Sequence, residues 1–421
     1  MKEPLFDYVK ESLKIHKPTN ESQFFPLVFN NFGEEEIYAA IEVLLSGKLT
    51  MGEKVNEFER QFANYLGVPY AVMVNSGSSA NLLAFAAITN KLRNKHLNIG
   101  DEVLIPAVCW STSFSPIIQC GLVPKLVDID SNSLNISIQE LKKSINSKTK
   151  AIMNVHILGN STNMDELTKI CEENDLILIE DTCEALGSSY KNLKLGSFGD
   201  FGTFSFYFSH HITTIEGGMI VCKSLEDYDL LKTLRAHGWS RLLSDQKTWE
   251  EKFPEIDPRF LFVNVGYNFR PMEIQAAFGI EQLKKINNMN IQRKKNVEQL
   301  KNSLVNHKLW DNQFSFPITT KNTDAIWFGF IILLNEKYKN HKEKFQKYLL
   351  QNGIDSRPII SGNFALQPVY KFYCNDNEKQ ELFNAQKIND LGIFMGCHTT
   401  PINKNIENKF TEIILNFFKN L

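Results

Sequence analysis

Long hydrophobic runs are missing from this chain of 421 residues. No stretch approaches the roughly 20 apolar residues that cross a bilayer, so no membrane span is predicted. Near the start, Glu3, Asp7, Lys10 and Glu11 interrupt any apolar core, which argues against a signal peptide. The expected location is the cytoplasm. An excess of one charge is also absent, with 46 basic against 48 acidic side chains, and neither nucleic acid nor a membrane surface is an expected partner. The seven cysteines stand far apart at 109, 120, 171, 183, 222, 374 and 397, with no CxxC pair. Disulfide and zinc frameworks are therefore not expected. Internal repeats and low-complexity blocks are lacking too.

What is present suits a globular enzyme. A hydrophobic fraction of 43% allows a substantial core, and the length fits one large domain plus a smaller one. Leu5, Phe6, Val9 and Leu13 fall at helical spacing before the break at Lys17–Asn20, predicting a helical extension over 1–30. From Gly33 onward, apolar runs (70–74, 102–105, 125–127, 151–155, 176–179) alternate with helical stretches such as 80–90, 138–145 and 164–173. This alternation predicts an α/β domain with a mostly parallel sheet over 31–285, whose strand ends lead into ligand-binding loops. A long helical pattern after Pro271 leads into a smaller α+β domain over 286–421.

Three loops carry candidate chemistry. In Val74-Asn-Ser-Gly77-Ser78-Ser-Ala-Asn81 a strand ends, a Gly/Ser turn follows and a helix opens. The turn reads either as an ordinary serine cap or as a monophosphate site built from free backbone N–H groups. Leu176–Glu184 is an apolar strand ending in acids. A buried carboxylate there needs a partner, either backbone donors or a protonated ring nitrogen. Gly202–Gly218 contains Ser205, His210 and His211. Adjacent histidines lack the spacing that converges two rings on a metal, so no metal site is predicted.

These three segments together resemble the DegT/DnrJ/EryC1/StrS sugar aminotransferase family, PLP enzymes with the aspartate aminotransferase fold (PLP fold type I). In that family a lysine occupies the position of His210. The histidine resembles the branch that removes the C3 hydroxyl from nucleotide-linked 4-keto-6-deoxy sugars. Further matching segments are Leu49–Glu53, Pro106–Thr112, Arg235–Trp239, Gly266–Pro271 and Arg357–Phe364. The likeness runs from about residue 32 to the C-terminus and favours the GDP-linked substrates of that branch. A related branch acting on CDP-linked sugars carries an iron–sulfur cluster with clustered cysteines. Residues 223–373 contain no cysteine, and four thiolates are the normal requirement, so no cluster is expected here.

The resemblance implies roles residue by residue. Gly77, Ser78 and Ser205 would hold the phosphate, with Asn268 reaching in from the second subunit of a homodimer with shared active sites. Trp110 would stack on the ring, or be plain core. Asp181 would pair with the ring nitrogen and Glu184 would face the ring hydroxyl. His210 would act as acid–base without holding PLP covalently. L-Glutamate would convert PLP to the amine form, PMP, before the sugar binds and loses its C3 hydroxyl and, finally, ammonia. The product would enter 3,6-dideoxy sugar synthesis for a surface polysaccharide. Arg270 is a candidate for the donor carboxylate. Met51, Arg235 and Arg357 are candidate substrate contacts, although each arginine also reads as an ordinary ion pair. An ordinary sugar aminotransferase, a CDP-sugar 3-dehydratase (which the N-terminal extension and the segment 362–368 also resemble) and a silent PLP-binding protein are the competing readings.

Overall fold

The computed structural model describes residues 2–15, 23–28, 32–374, 381–419 and 421. The predicted break at Lys17–Asn20 lies outside the described residues. The apolar runs of the first half become strands in chain order: β1 (Tyr70–Val74), β2 (Glu102–Pro106), β3 (Val123–Val127), β4 (Thr149–Val155) and β5 (Ile177–Asp181). A short ribbon follows, β6 (Ser189–Tyr190) and β7 (Leu193–Lys194), then β8 (Phe201–Ser205) and β9 (Gly218–Cys222). Seven of these form one sheet in the order β1-β9-β8-β5-β4-β2-β3. Only β9 runs against its neighbours β1 and β8, while the β8-β5-β4-β2-β3 pairs are parallel.

Both faces are covered, as parallel sheets require. Successive side chains point to opposite faces, so Ile177 and Ile179 join one core with Phe85 and Phe114, whereas Leu176 and Leu178 join another with Met164 and Leu167. The sheet's parallel strands deliver their C-terminal ends, and the loops after them, to one edge of the domain.

A 33-residue helix, Glu273–Val305, carries the chain to the second sheet. The expected division between 285 and 286 therefore falls inside a continuous helix. Beyond it lie β10 (Phe314–Ser315), β11 (Thr323–Asp324), β12 (Phe330–Leu334), β13 (Ser356–Pro358) and β14 (Gly392–Met395). Four of them make an antiparallel sheet ordered β10-β12-β14-β13, and β11 instead extends the β6–β7 ribbon. The run from Trp327 joins the sheet only at Phe330, because the Phe328 N–H is taken by the Leu158 carbonyl at 2.9 Å.

The extension forms a helix over Lys2–Ile15, with Phe6 packed edge-on against Tyr38 of the next helix, Glu34–Ser46, at 5.6 Å. Phe25 then plugs the small domain's core. It is 1% exposed, exchanges backbone bonds with Gly353 and Asp355, and stacks on His398 at 4.3 Å.

Candidate active site

A cavity of about 590 Å³ opens between the two sheets. Ser76–Ser78, Trp110, Asp181, Glu184, Ser205 and His210 line it from the large domain, and Leu27, Arg357, Ile360 and Phe394 close it from the other side. Part of the second wall hangs on the Ser361–Phe364 turn, where Ser361 Oγ donates to the Cys109 carbonyl at 2.6 Å and the Phe364 N–H to that of Ala107 at 2.8 Å.

The helix after β1 begins at Gly77, three residues before the predicted start, because Ser76 caps it by accepting the Ser79 N–H at 3.1 Å. Gly77 and Ser78 thus sit in the first turn, where N–H groups lack helical acceptors and favour an anion. Any side chain at Gly77 would bring a Cβ to 2.5 Å from the Ser205 Cβ. The glycine lets the helix start and the end of β8 meet, so that Gly77, Ser78 and Ser205 line the same cavity. Ser78 Oγ also donates to Thr112 Oγ1 at 3.1 Å.

Alternation along β5 separates its two acids. Glu180 turns away into a buried network, accepting from His156 Nε2 at 2.8 Å and from the N–H groups of Gly196, Phe198 and Gly199. Burial raises Glu180, but these donors outweigh it and leave the carboxyl below its ordinary range. Asp181 faces the cavity. Its Oδ2 accepts from Asn81 Nδ2 at 2.9 Å and Ser113 Oγ at 2.7 Å, while Oδ1 takes the Cys183 N–H at 3.1 Å. Thr203 Oγ1 fixes the Asn81 amide from behind at 2.6 Å. One carboxylate oxygen is thus locked and the other keeps acceptor capacity toward the cavity.

Glu184 accepts the Leu158 N–H at 3.0 Å. Burial pushes it up to about 8, with the Asp181 charge adding and the Leu158 bond opposing. Near neutral pH it is mostly the acid, a hydrogen-bond donor. His210 lies against Tyr207 and Phe328, ring to ring at 6.1 and 5.2 Å, and its Nδ1 has no partner. Burial pushes it down to about 4; Asp181 opposes this and Arg293 adds to it. The imidazole is therefore neutral near pH 7, with its lone pair free to accept a proton. His211 turns the other way, its Nε2 3.0 Å from the Ile326 carbonyl oxygen. The two rings do not converge.

Of the remaining candidates, Trp110 is not core: it is 57% exposed at the cavity rim. Arg357 also lines the cavity and pairs with Asp355 at 2.5 Å. Arg235 requires a correction. It is buried in the large domain, where Nη1 meets Glu59 at 2.6 Å and the Met73 carbonyl at 2.8 Å, so it is a structural ion pair and not a substrate contact. Met51, Asn268 and Arg270 are outside the cavity of their own chain. Met51 has φ 46° in a turn clamped by Glu273, which accepts the Gly52, Lys54 and Val55 N–H groups. Arg270 Nε donates to Asn268 Oδ1 at 2.9 Å. The sequence reading missed Asn81, Ser113 and Thr203. Asn81, one helical turn past Gly77, carried a usable signal.

The residues fit PLP. A helix start with free N–H groups faces Ser205, an aromatic side chain stands at the rim, and an acceptor waits at the end of β5. The cavity and topology place the molecule among PLP enzymes of the aminotransferase fold. Within that class the chain belongs to the DegT/DnrJ/EryC1/StrS aminotransferase family, whose model matches residues 30–409. It is 40% identical over 391 residues to GDP-4-keto-6-deoxy-D-mannose 3-dehydratase of Yersinia pseudotuberculosis, covering 92% of this chain and 97% of that one. It is 34% identical over 403 residues to the lipopolysaccharide biosynthesis protein RfbH of Salmonella typhimurium, covering 91% of each. A crystal structure of GDP-4-keto-6-deoxymannose-3-dehydratase with a trapped PLP–glutamate geminal diamine superposes with a TM-score of 0.83 at 38% identity. That match covers 93% of this chain and all of the other.

Proposed function

We propose that this protein is a PLP/PMP-dependent 3-dehydratase. It removes the C3 hydroxyl of a GDP-linked 4-keto-6-deoxy sugar, with L-glutamate as amino donor, on a route to a 3,6-dideoxy sugar of a surface polysaccharide. One observation carries the reading: His210 faces the cavity, and no lysine among the described residues lines it. When bound, PLP supplies an electron sink and a carbonyl that exchanges with amines.

The chain's own residues do the rest. Gly77, Ser78 and Ser205 bind the phosphate, and Trp110 covers the ring. Asp181 Oδ1 accepts from the ring nitrogen and keeps it protonated, while the protonated Glu184 donates to the ring hydroxyl. His210 takes the proton whose removal drives loss of the C3 hydroxyl. A lysine there would deliver a proton and end the cycle at an amino sugar; imidazole cannot hold the cofactor covalently, and the chemistry ends in elimination. No iron–sulfur cluster takes part, in keeping with the cysteine-free stretch 223–373.

We further propose a homodimer with shared sites. Asn268 and Arg270 follow a segment where Phe260, Phe262 and Val265 are exposed, Val265 at 85%, and exposed apolar side chains near them suit a subunit contact. The test is chemical. Protein incubated with PLP and treated with borohydride should release all cofactor on denaturation. A lysine-linked pyridoxyl group in its peptides would refute the reading.

A further inference from the structure

Beside the large cavity lies a smaller one of about 40 Å³. The two share Leu27, Ser209, Phe328 and Phe394, and the smaller is completed by Val28, Arg293 and Cys397. Arg293 comes from the middle of helix Glu273–Val305 and is 3% exposed. Its Nη1 reaches the Phe328 carbonyl at 3.4 Å, its Nε has no partner, and no acidic side chain among the described residues pairs with it. The other buried arginines do have acids: Arg93 meets Asp227 at 2.7 Å and Arg235 meets Glu59 at 2.6 Å. A buried cation without a counter-charge is costly.

The position of Arg293 says what it acts on. Phe328, whose carbonyl it holds, is fixed on its other side by the N–H bond to Leu158. The Phe328 ring then stands edge-on to His210 at 5.2 Å and tilted against His211 at 5.7 Å. We propose that Arg293 is a positioning residue for the dehydration, its hold on Phe328 keeping the His210 imidazole correctly turned and its lone charge adding to the burial that disfavours the imidazolium. The inference rests on the reading of His210 as the base.

The groups facing His210 make the balance explicit. Its own loop contributes Tyr207 and His211; β5 and the turn after it contribute Asp181, Cys183 and Glu184; Glu216 and Arg357 line the same cavity. Asp181 favours the imidazolium, whereas burial and Arg293 oppose it. Removing the Arg293 charge leaves Asp181 less opposed, so the ring protonates at higher pH.

The test follows His210 by NMR of 13C-labelled histidine, assigned with His210→Asn, in cofactor-free and PLP-loaded protein. Arg293→Gln should move the His210 midpoint up by roughly one pH unit. The acid limb of the glutamate half-reaction, read from the cofactor spectrum, should move with it. Arg293→Lys keeps the charge but loses the planar fork, so its midpoint should stay and its kcat fall several-fold at unchanged KM for glutamate. Should Arg293→Gln not fold, wild type and Arg293→Lys carry the test. A cofactor-free wild-type imidazole titrating near its ordinary value of about 6.5, or an unmoved midpoint in Arg293→Gln, would overturn the proposal. Loss of the base reading itself would show separately, as a half-reaction that survives in His210→Asn.

Discussion

Glu184 and Asp181 stand three residues apart and face the same cavity, yet their surroundings differ. Asp181 takes two side-chain donors and one N–H, whereas Glu184 takes one N–H against a larger cost of burial. Glu184 is therefore raised to about 8, and the sign of its linkage follows. Below about pH 4 it is protonated in both folded and unfolded chains. As pH rises the unfolded chain ionises first, so the folded state loses stability until about pH 8. In cofactor-free protein, Glu184→Gln should melt a few degrees higher than wild type at pH 8.5 and no higher at pH 4.5. Parallel melting curves across that range would deny the raised value. Asp181→Asn should fold and bind cofactor but slow the glutamate half-reaction by about 10²-fold or more, since a charged acceptor becomes neutral. Near-normal rates would make Asp181 merely structural. Asp181 was legible in the sequence because an apolar strand ended in it, whereas the place of Glu184 was implied only by the family resemblance. The place of Arg235 was not legible: the acid that buries it, Glu59, is 176 residues away. Arg293 was hidden differently, since a mid-helix arginine followed by Lys294 and Lys295 looks like a solvated face.

Among the elements, the meeting of the Gly77–Ile88 helix with β8 does most to shape the proposed phosphate site. A methyl group at Gly77 must push these elements apart, because the Cβ would lie 2.5 Å from that of Ser205. Gly77→Ala should weaken PLP binding at least about tenfold, or 1.4 kcal/mol, in a fluorescence titration, while circular dichroism stays native. Unchanged affinity would place the phosphate elsewhere. Strand and helix periodicity was enough to foresee this strand–turn–helix unit, and Tyr70–Val74 forms as predicted. The reversed direction of β9 was not readable, since nothing local in Gly218–Cys222 distinguishes a parallel partner from an antiparallel one. β5 runs two residues further than its apolar pattern because each terminal acid finds polar partners on its own face.

Across the whole molecule, the family, the fold and the chemistry were visible in ordered motifs, whereas the sharing of sites was only implied. Asn268 and Arg270 are outside the cavity of their own chain, which suits residues serving a neighbour. Mixing Asn268→Ala chains with His210→Asn chains should restore part of the activity in hybrids that keep one intact site, and none in either parent. Confirmed hybrids without activity would contradict the shared site. The central claim is that histidine at position 210 ends the reaction in elimination, and product analysis tests it most directly. The protein, PLP and L-glutamate are incubated with GDP- or CDP-linked 4-keto-6-deoxy sugar, and the products are weighed by mass spectrometry with ammonia assayed in parallel. With His210 as the base, 2-oxoglutarate, ammonia and a 3-deoxy-4-keto sugar are expected from the GDP-linked substrate. An amino sugar that keeps its C3 hydroxyl, with no ammonia released, would contradict that role.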